Sequence, residues 1–264
     1  MNPASPPAIS ALRIADCSLL AKGFSAEVYQ WREGTVLKLY HEGHDQLAVE
    51  REFAAAVTLH AAGLPVPAAH ELVAVGLRKG IVFERIAGTS LLAHVQARPW
   101  RLFAAVRELA DLHLRVHQFV APATLPSLKE RIAQGITAAE VTIHERSAAL
   151  QQLGELPDGD TLCHGDFHPA NILLTPAGWR IIDWSGAARG HPAGDVACTS
   201  RLFRTANLPP WSPWHAHALL RFFRGPMHRT YLQRYFSRRA DSPGSIAAWQ
   251  FPLEIAAKGW RGKS

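Results

Sequence analysis

The residues best suited to chemistry lie between positions 161 and 184, where polar side chains interrupt an otherwise apolar pattern. Asp166 and Asn171 lie in a loop, with four residues between them. An apolar strand over 172–174, a turn over 175–178 and a returning strand that ends on Asp183 follow. We expect this hairpin to bring Asp183 beside Asn171. Two oxygen ligands from a loop and a strand end suit Mg²⁺, and Asp166 remains to accept a proton.

The order of these residues matches the kinase catalytic loop, H-x-D-x-x-x-x-N, followed by a metal-binding Asp. The segments HGDFHPAN at 164–171 and IIDW at 181–184 resemble the aminoglycoside phosphotransferase family, the small-molecule branch of the protein-kinase-like fold. The resemblance spans about residues 17 to 255. It implies ATP between two lobes and phosphoryl transfer to a small-molecule hydroxyl. Carried over, Asp166 is the catalytic base, and Asn171 and Asp183 hold Mg²⁺.

Lys38 is the next candidate, because it lies on a short strand among apolar residues. An ammonium group is costly there unless it meets an anion. The resemblance implies that Lys38 contacts the α- and β-phosphates of ATP and pairs with an acid on the following helix. Glu52 fits the family pattern, and Glu50 is the alternative.

Two further segments would complete the nucleotide site by the same resemblance. The turn at 22–27 would cover the phosphates, with the backbone of Gly23 and the hydroxyl of Ser25 as candidate contacts. The segment 81–88 resembles the strand that leads into the hinge between the lobes. Glu84 and Ile86 would there offer backbone groups to adenine.

The first part of the chain must position these residues with strands. Segments rich in β-branched and aromatic residues predict strands over 27–31, 36–40, 71–75 and 80–85. An Ala-rich segment without proline predicts one helix over 46–62, which Gly63 ends.

After residue 86 the pattern becomes helical. Apolar residues at helical spacing predict a helix over 100–119, and Ser127 with Glu130 forms a capping box for the next. Three prolines predict a loop over 208–214. The fold class is therefore α+β and two-lobed, with a small antiparallel sheet and one main helix in the N-lobe and a larger helical C-lobe. We expect a flexible leader over 1–10, the N-lobe over 11–86 and the C-lobe over 87–264.

Composition excludes several classes. The chain has 264 residues, of which 48% are apolar, without an apolar segment long enough for a membrane helix. Three separated cysteines fit neither a disulfide framework nor a thiolate metal site. The N-terminus has no export signal, so we expect a cytoplasmic protein without a membrane partner.

The charge is unevenly distributed. The formal net charge is +6, and residues 196–264 hold eleven Lys or Arg but only the acids Asp241 and Glu254. We interpret this stretch as a solvated basic face and expect no nucleic acid partner. Aminoglycosides are polycations that need acidic pockets, so the sequence favours a neutral or anionic acceptor. The acids Glu108, Asp111, Glu140 and Glu145 on earlier helices could still line a pocket, and Trp211 and Trp214 are candidates for a lid.

Differences from the protein-kinase sequence pattern argue against a protein substrate. Gly165 replaces the Arg that would pair with a phosphorylated activation loop, and only eleven residues separate Asp183 from Asp195. No segment for docking a peptide fits there. Asp195 is interpreted as structural, capping a helix and tethering the catalytic loop. Family members usually continue with further helix beyond the point where this chain ends.

Two alternatives remain open. In a metallohydrolase, His164, Asp166 and His168 would bind a transition metal, completed by His191 and Asp195. That hypothesis leaves Asn171 and Lys38 unexplained. The other alternative is a kinase-like binding protein without catalysis, although every catalytic position is filled. His113, His117, His168 and His191 are otherwise interpreted as packing or loop residues.

Overall fold

The computed structural model describes residues 8–9, 14, 16–23, 25–205, 214–239 and 242–261. The chain forms two compact units. One holds the chain up to Thr89 together with Ile172–Ser185, and the other holds Ser90–Asn171 and the chain from Gly186. Most of the expected leader over 1–10 lies outside the described residues.

The described strands are, in chain order, β1 (Ala8–Ile9), β2 (Leu19–Lys22), β3 (Ala26–Gln30), β4 (Thr35–Tyr40), β5 (Ala69–Val75), β6 (Arg78–Glu84), β7 (Thr89–Ser90), β8 (Thr161–Cys163), β9 (Ile172–Thr175), β10 (Gly178–Ile181) and β11 (Ala188–Gly190). The described helices are α1 (Gln46–Ala61), α2 (Leu91–Ala97), α3 (Leu102–Val116), α4 (Leu128–Ala138), α5 (Ile143–Glu155), α6 (Pro192–Thr205), α7 (Trp214–Phe236) and α8 (Ala247–Arg261). The predicted α+β fold class is confirmed.

A six-stranded sheet in the order β1-β5-β6-β4-β3-β2 forms the first unit. Its neighbouring strands are antiparallel except for the parallel pair β1 and β5, which the sequence did not predict. Strands β3 to β6 begin and end within two residues of the four predicted strands. The antiparallel sheet expected from the sequence is therefore present.

The two faces of this sheet bury different residues of β4. Leu37 and Leu39 join a buried cluster on one face, and Tyr40 packs with Val49 of α1 on the other. Because successive side chains of a strand alternate between faces, Lys38 shares the α1 face with Tyr40. The period of the strand thus directs Lys38 toward the helix that carries its acidic partner.

The ends of α1 follow local rules. The side chain of Asp45 accepts a hydrogen bond from the Leu47 N–H at 2.9 Å and caps the N-terminus. The helix ends at Ala61, and Gly63 has a φ of 79°, a conformation that glycine adopts without a Cβ clash. The predicted helix and its glycine terminator are confirmed.

The second unit is mainly helical. Helix α3 packs against α7, and α4 packs against α8. The predicted helix over 100–119 is shorter at both ends: Pro99–Arg101 forms a 3₁₀ turn before α3, and α3 ends at Val116. Ser127 and Glu130 form the predicted capping box of α4. Most of the loop expected over 208–214 lies outside the described residues, and α7 begins at Trp214.

Two pairs of short antiparallel strands adjoin the candidate site residues. In the first unit β9 and β10 are antiparallel, with Ile172 opposite Ile181, and the Ile181 N–H donates to the Pro65 carbonyl at 2.8 Å. In the second unit β8 and β11 are antiparallel, and β8 ends one residue before His164. In the part of the chain that the structure describes, no helix combines the length and apolar character needed to cross a membrane.

Candidate active site

In the first unit, Lys38 lies between two carboxylates. Its Nζ donates to Glu52 Oε1 at 2.7 Å and to Asp183 Oδ1 at 2.8 Å. Glu50 forms its own ion pair with Lys79 at 2.7 Å. The structure therefore pairs Lys38 with Glu52 and not with the alternative that the sequence left open.

The surroundings keep Lys38 charged. Burial favours the neutral amine, but the carboxylates of Glu52 and Asp183 outweigh burial and hold the pKa of Lys38 well above its usual range. The Tyr40 hydroxyl donates to Glu52 Oε2 and satisfies the second oxygen of this buried carboxylate. The first unit thus holds a fixed ammonium group whose position is set from two sides.

Asp183 adopts an unusual backbone conformation. Its φ is 61°, and it is the one residue other than glycine with a positive φ among the described residues. This region costs energy for residues with a Cβ, although Asp tolerates it better than most. Strained residues of this kind are common where a side chain must point to a particular place. The turn after β10 directs the Asp183 carboxylate toward Lys38.

The residues of the first unit that are predicted to contact nucleotide differ in whether their backbone N–H groups already donate a hydrogen bond within the protein. The Gly23 N–H donates to the Ala26 carbonyl at 2.9 Å, so this N–H is already used. The Glu84 N–H donates to the Ala68 carbonyl at 2.8 Å, whereas Ile86 follows β6 outside any strand. A role of Gly23, Ser25, Glu84 or Ile86 in binding nucleotide stays a prediction.

In the second unit, the loop at 164–171 presents Asp166 to solvent. The Asp166 side chain is 44% exposed, and its N–H donates to His164 Nδ1 at 3.3 Å. Its carbonyl accepts from Asn171 Nδ2 at 3.0 Å, which spans the loop. Asp166 and Asn171 are therefore held together, with the Asp166 carboxylate accessible.

Each of the two predicted metal ligands offers an oxygen atom. Because Nδ2 of the buried Asn171 is engaged with the Asp166 carbonyl, its Oδ1 is the atom suited to bind a metal. In the other unit, Asp183 supplies a carboxylate, and oxygen ligands are those that Mg²⁺ prefers. That Asn171 and Asp183 hold the same ion stays a prediction.

Helix α6 fixes the backbone on both sides of Asp166. Asp195, in its first turn, accepts from the His164 N–H at 2.6 Å and from the Gly165 N–H at 2.8 Å. One turn later, the Thr199 hydroxyl donates to the Phe167 carbonyl at 3.0 Å. Sequence reasoning expected the tether by Asp195 but missed Thr199, whose spacing of four residues from Asp195 places both on one helix face.

Gly165 is required by its surroundings. It has a φ of 79°, and a Cβ at this position would lie 2.5 Å from the Gly186 carbonyl oxygen. Neither condition admits a side chain. The absence of the kinase Arg at this position is thus also a steric requirement of the loop.

The metallohydrolase hypothesis finds no support in the geometry. Among the described residues, the one group of three that could hold a metal is His113, His117 and Asp195, not the predicted His164, Asp166 and His168. His168 Nε2 does lie 3.4 Å from Asp166 Oδ2. That contact pairs the two side chains without gathering a third ligand.

Two of the four acids proposed for a cationic pocket are engaged elsewhere. Asp111 forms two hydrogen bonds of 2.8 Å with Arg234 and an ion pair of 3.6 Å with Arg238. Glu145 closes the capping box of α5. Trp211 lies outside the described residues, and Trp214 is exposed at the start of α7.

Comparison with known proteins places these observations in a family. A sequence profile of the phosphotransferase enzyme family matches residues 16–234. The chain is 26% identical over 208 residues to the aminoglycoside 3'-phosphotransferase of Streptomyces fradiae, covering 69% of this chain and 70% of that protein. It is also 29% identical to acyl-CoA dehydrogenase family member 11 of Pongo abelii over 70% of this chain. The match covers 26% of that relative, so the chain spans about a quarter of its length.

Solved structures share the fold at lower identity. An aminoglycoside-3'-phosphotransferase of type VIII superposes with a TM-score of 0.64 and 23% identity, covering 93% of this chain and 97% of the other. A choline/ethanolamine kinase family protein from Mesorhizobium loti superposes with a TM-score of 0.57 and 17% identity, over 92% and 78%. The profile covers most of the chain and includes Lys38, Asp166, Asn171 and Asp183. The chain therefore belongs to the phosphotransferase enzyme family.

Proposed function

We propose that this chain is a small-molecule kinase that transfers the γ-phosphoryl group of ATP to a hydroxyl group. The observation that carries the proposal is the pairing of Lys38 with both Glu52 and Asp183, at 2.7 and 2.8 Å. An ammonium group that is mostly shielded from solvent between two carboxylates is not an ordinary surface ion pair. It does have value where a fixed positive charge must meet phosphate oxygens.

Each group has a defined part in direct transfer. The acceptor oxygen forms a bond to the γ-phosphorus while the bond from phosphorus to the bridging oxygen breaks, and ADP leaves with that electron pair. Asp166 accepts the proton of the attacking hydroxyl, which its exposed carboxylate is free to do. Lys38 orients the nucleotide phosphates. Asn171 and Asp183 would hold Mg²⁺, which supplies neutralisation of phosphate charge.

Positioning contributes as much as charge. The backbone of His164, Gly165 and Phe167 is held by α6, so Asp166 is presented from a fixed loop. Phosphoryl transfer needs little covalent chemistry from the protein and depends mainly on alignment and electrostatics. A rigid loop with one exposed carboxylate meets that need.

We further propose that the acceptor is neutral or anionic. Asp111 is neutralised by Arg234 and Arg238, and Glu254 is paired with Arg204 at 3.6 Å. After these ion pairs form, the basic excess of residues 196–264 has no matching acidic surface among the described residues. A polycation would be repelled by such a surface, whereas a sugar, a hydroxy-amino compound or a phosphorylated metabolite would not.

ATP consumption across a panel of acceptors tests the proposal. The panel holds hydroxylated metabolites, phosphorylated metabolites and aminoglycosides, each with and without Mg²⁺. We expect Mg²⁺-dependent turnover with a neutral or anionic acceptor, absent in Asp166→Asn. Efficient phosphorylation of kanamycin-type compounds would overturn the acceptor class. If no acceptor gives turnover although ATP binds, the kinase-like binding protein is the better description.

A further inference from the structure

We propose that two histidine–tyrosine pairs position the catalytic loop by holding the carboxylate of Asp195. His113 and Tyr231 form one pair, and His117 and Tyr235 form the other. This inference rests on the proposed function, since it assigns positioning residues to that reaction. Together with Asp195, these four residues are called the Asp195 network below.

The contacts of the network are short and buried. The Nε2 atoms of His113 and His117 lie 3.0 and 3.2 Å from Asp195 Oδ2. Their Nδ1 atoms lie 2.7 and 2.6 Å from the hydroxyl groups of Tyr231 and Tyr235. All five residues are buried, so water does not compete for these hydrogen bonds.

Helical spacing explains the symmetry. His113 and His117 are four residues apart on α3, and Tyr231 and Tyr235 are four residues apart on α7, so each pair shares one helix face. The packing of α3 against α7 then brings each histidine to one tyrosine. The network thus has two equivalent arms that meet at one carboxylate oxygen.

The protonation states of Asp195 and the two histidines decide which atom donates in each hydrogen bond of the network. Asp195 Oδ2 accepts from the His164 N–H and cannot donate, because its pKa is held well below the usual range; burial opposes this, but the two histidines outweigh it. Each histidine must therefore carry a proton on Nε2. Burial lowers the pKa of His113 to about 4, so its ring is neutral at pH 7 and its Nδ1 accepts a hydrogen bond from the Tyr231 hydroxyl. Tyr231 thus fixes the tautomer that faces Asp195.

The network reaches both sides of the catalytic base. Through Asp195 it acts on the N–H groups of His164 and Gly165, which precede Asp166. The His113 ring also stacks on Phe167, with 4.2 Å between ring centroids, and Phe167 follows Asp166. A displacement of the carboxylate or of the His113 ring would therefore move the residue that accepts the proton.

His113, His117 and Asp195 could also be viewed as a metal site. Every nitrogen of the two rings already has a hydrogen-bond partner, and Asp195 accepts four such bonds. A metal ion would have to displace the Nε2 protons that these bonds require. The hydrogen-bonded arrangement therefore needs no ion.

The test removes the hydroxyl groups without changing volume. In Tyr231→Phe/Tyr235→Phe, the histidines lose the partner that fixes their tautomer. Tyr29→Phe is the matched control, because the Tyr29 hydroxyl donates to Glu27 at 3.0 Å in the other unit. We expect amide hydrogen exchange at His164 and Gly165 to become about tenfold faster only in the double variant. We also expect kcat to fall about tenfold while KM for ATP stays within twofold.

Further variants keep the inference testable. If the double variant does not fold, the single variants Tyr231→Phe and Tyr235→Phe replace it, with about half the effect on a logarithmic scale. His117→Gln retains a donor toward Asp195 and should keep more of kcat than His117→Leu, which separates positioning from packing.

Two results would overturn the inference. One is exchange and kcat within twofold of wild type in a folded double variant. The other is a stoichiometric transition metal that leaves only with a strong chelator. Loss of the proposed function is a separate result: if wild type shows no turnover with any acceptor, amide exchange still decides whether the network holds the loop.

Discussion

The buried His113 predicts how the free energy of unfolding depends on pH. Burial in contact with His117 lowers its pKa to about 4 in the folded protein, against 6.5 in the unfolded chain. Between these pH values the unfolded chain binds the proton and the folded protein does not. The contribution of His113 to the free energy of unfolding is therefore fully present above about pH 6.5 and is lost as the pH falls toward 4. The pKa difference corresponds to about 3 kcal/mol.

The comparison of wild type with His113→Gln isolates this contribution. Glutamine retains an N–H donor but does not titrate, so the variant lacks the proton uptake of His113. Urea unfolding followed by fluorescence at pH 7, 5.5 and 4 gives the two free energies of unfolding. We expect the free energy of unfolding of wild type, relative to that of the variant, to fall by about 3 kcal/mol from pH 7 to pH 4. His70→Gln, at an exposed position on β5, should show the pH dependence of wild type. A constant difference between wild type and His113→Gln would refute the reasoning.

Other substitutions test the proposed roles. Asp166→Asn should retain nucleotide binding but lower kcat by about 10²- to 10⁴-fold, whereas Asp183→Asn should also weaken Mg²⁺-dependent ATP binding, measured by calorimetry. Lys38→Met leaves the buried Glu52 without its cation and should lower the free energy of unfolding by about 3–5 kcal/mol, and adding Glu52→Gln should recover part of the loss; no recovery would contradict the pairing. Gly165→Ala should cost at least about 1–2 kcal/mol from its φ alone, together with most of kcat, and a variant with wild-type melting temperature and turnover would show that the loop tolerates a side chain.

The secondary structure near the site was accessible to sequence reasoning because its signals are local. Alternation along β4, the capping box at Ser127 and the glycine after α1 depend on residues within a few positions of one another. The structure confirmed these elements within one or two residues in most cases. The helix predicted over 100–119 began too early because Pro99 begins a 3₁₀ turn, which apolar periodicity does not detect, and it ended three residues too late.

The candidate site also has features that the sequence predicts and features that it does not. The spacing of Asp166, Asn171 and Asp183 indicated a kinase-like loop, and the family comparison supports that interpretation. The choice between Glu50 and Glu52 could not be made from spacing, because both lie on the same helix. Their partners, Lys79 and Lys38, lie on different strands, and only strand register decides which lysine each one meets.

The sequence by itself determined the family, the loop that carries Asp166 and the alternation that directs Lys38 toward α1, because these rest on residue type and short-range order. The tertiary structure alone decided the partners of Asp195. His113 and Tyr231 are 118 residues apart, and no local sequence pattern around either residue predicts their contact. Such contacts depend on how α3 packs against α7, and packing is set by the shapes of whole surfaces that no local pattern records.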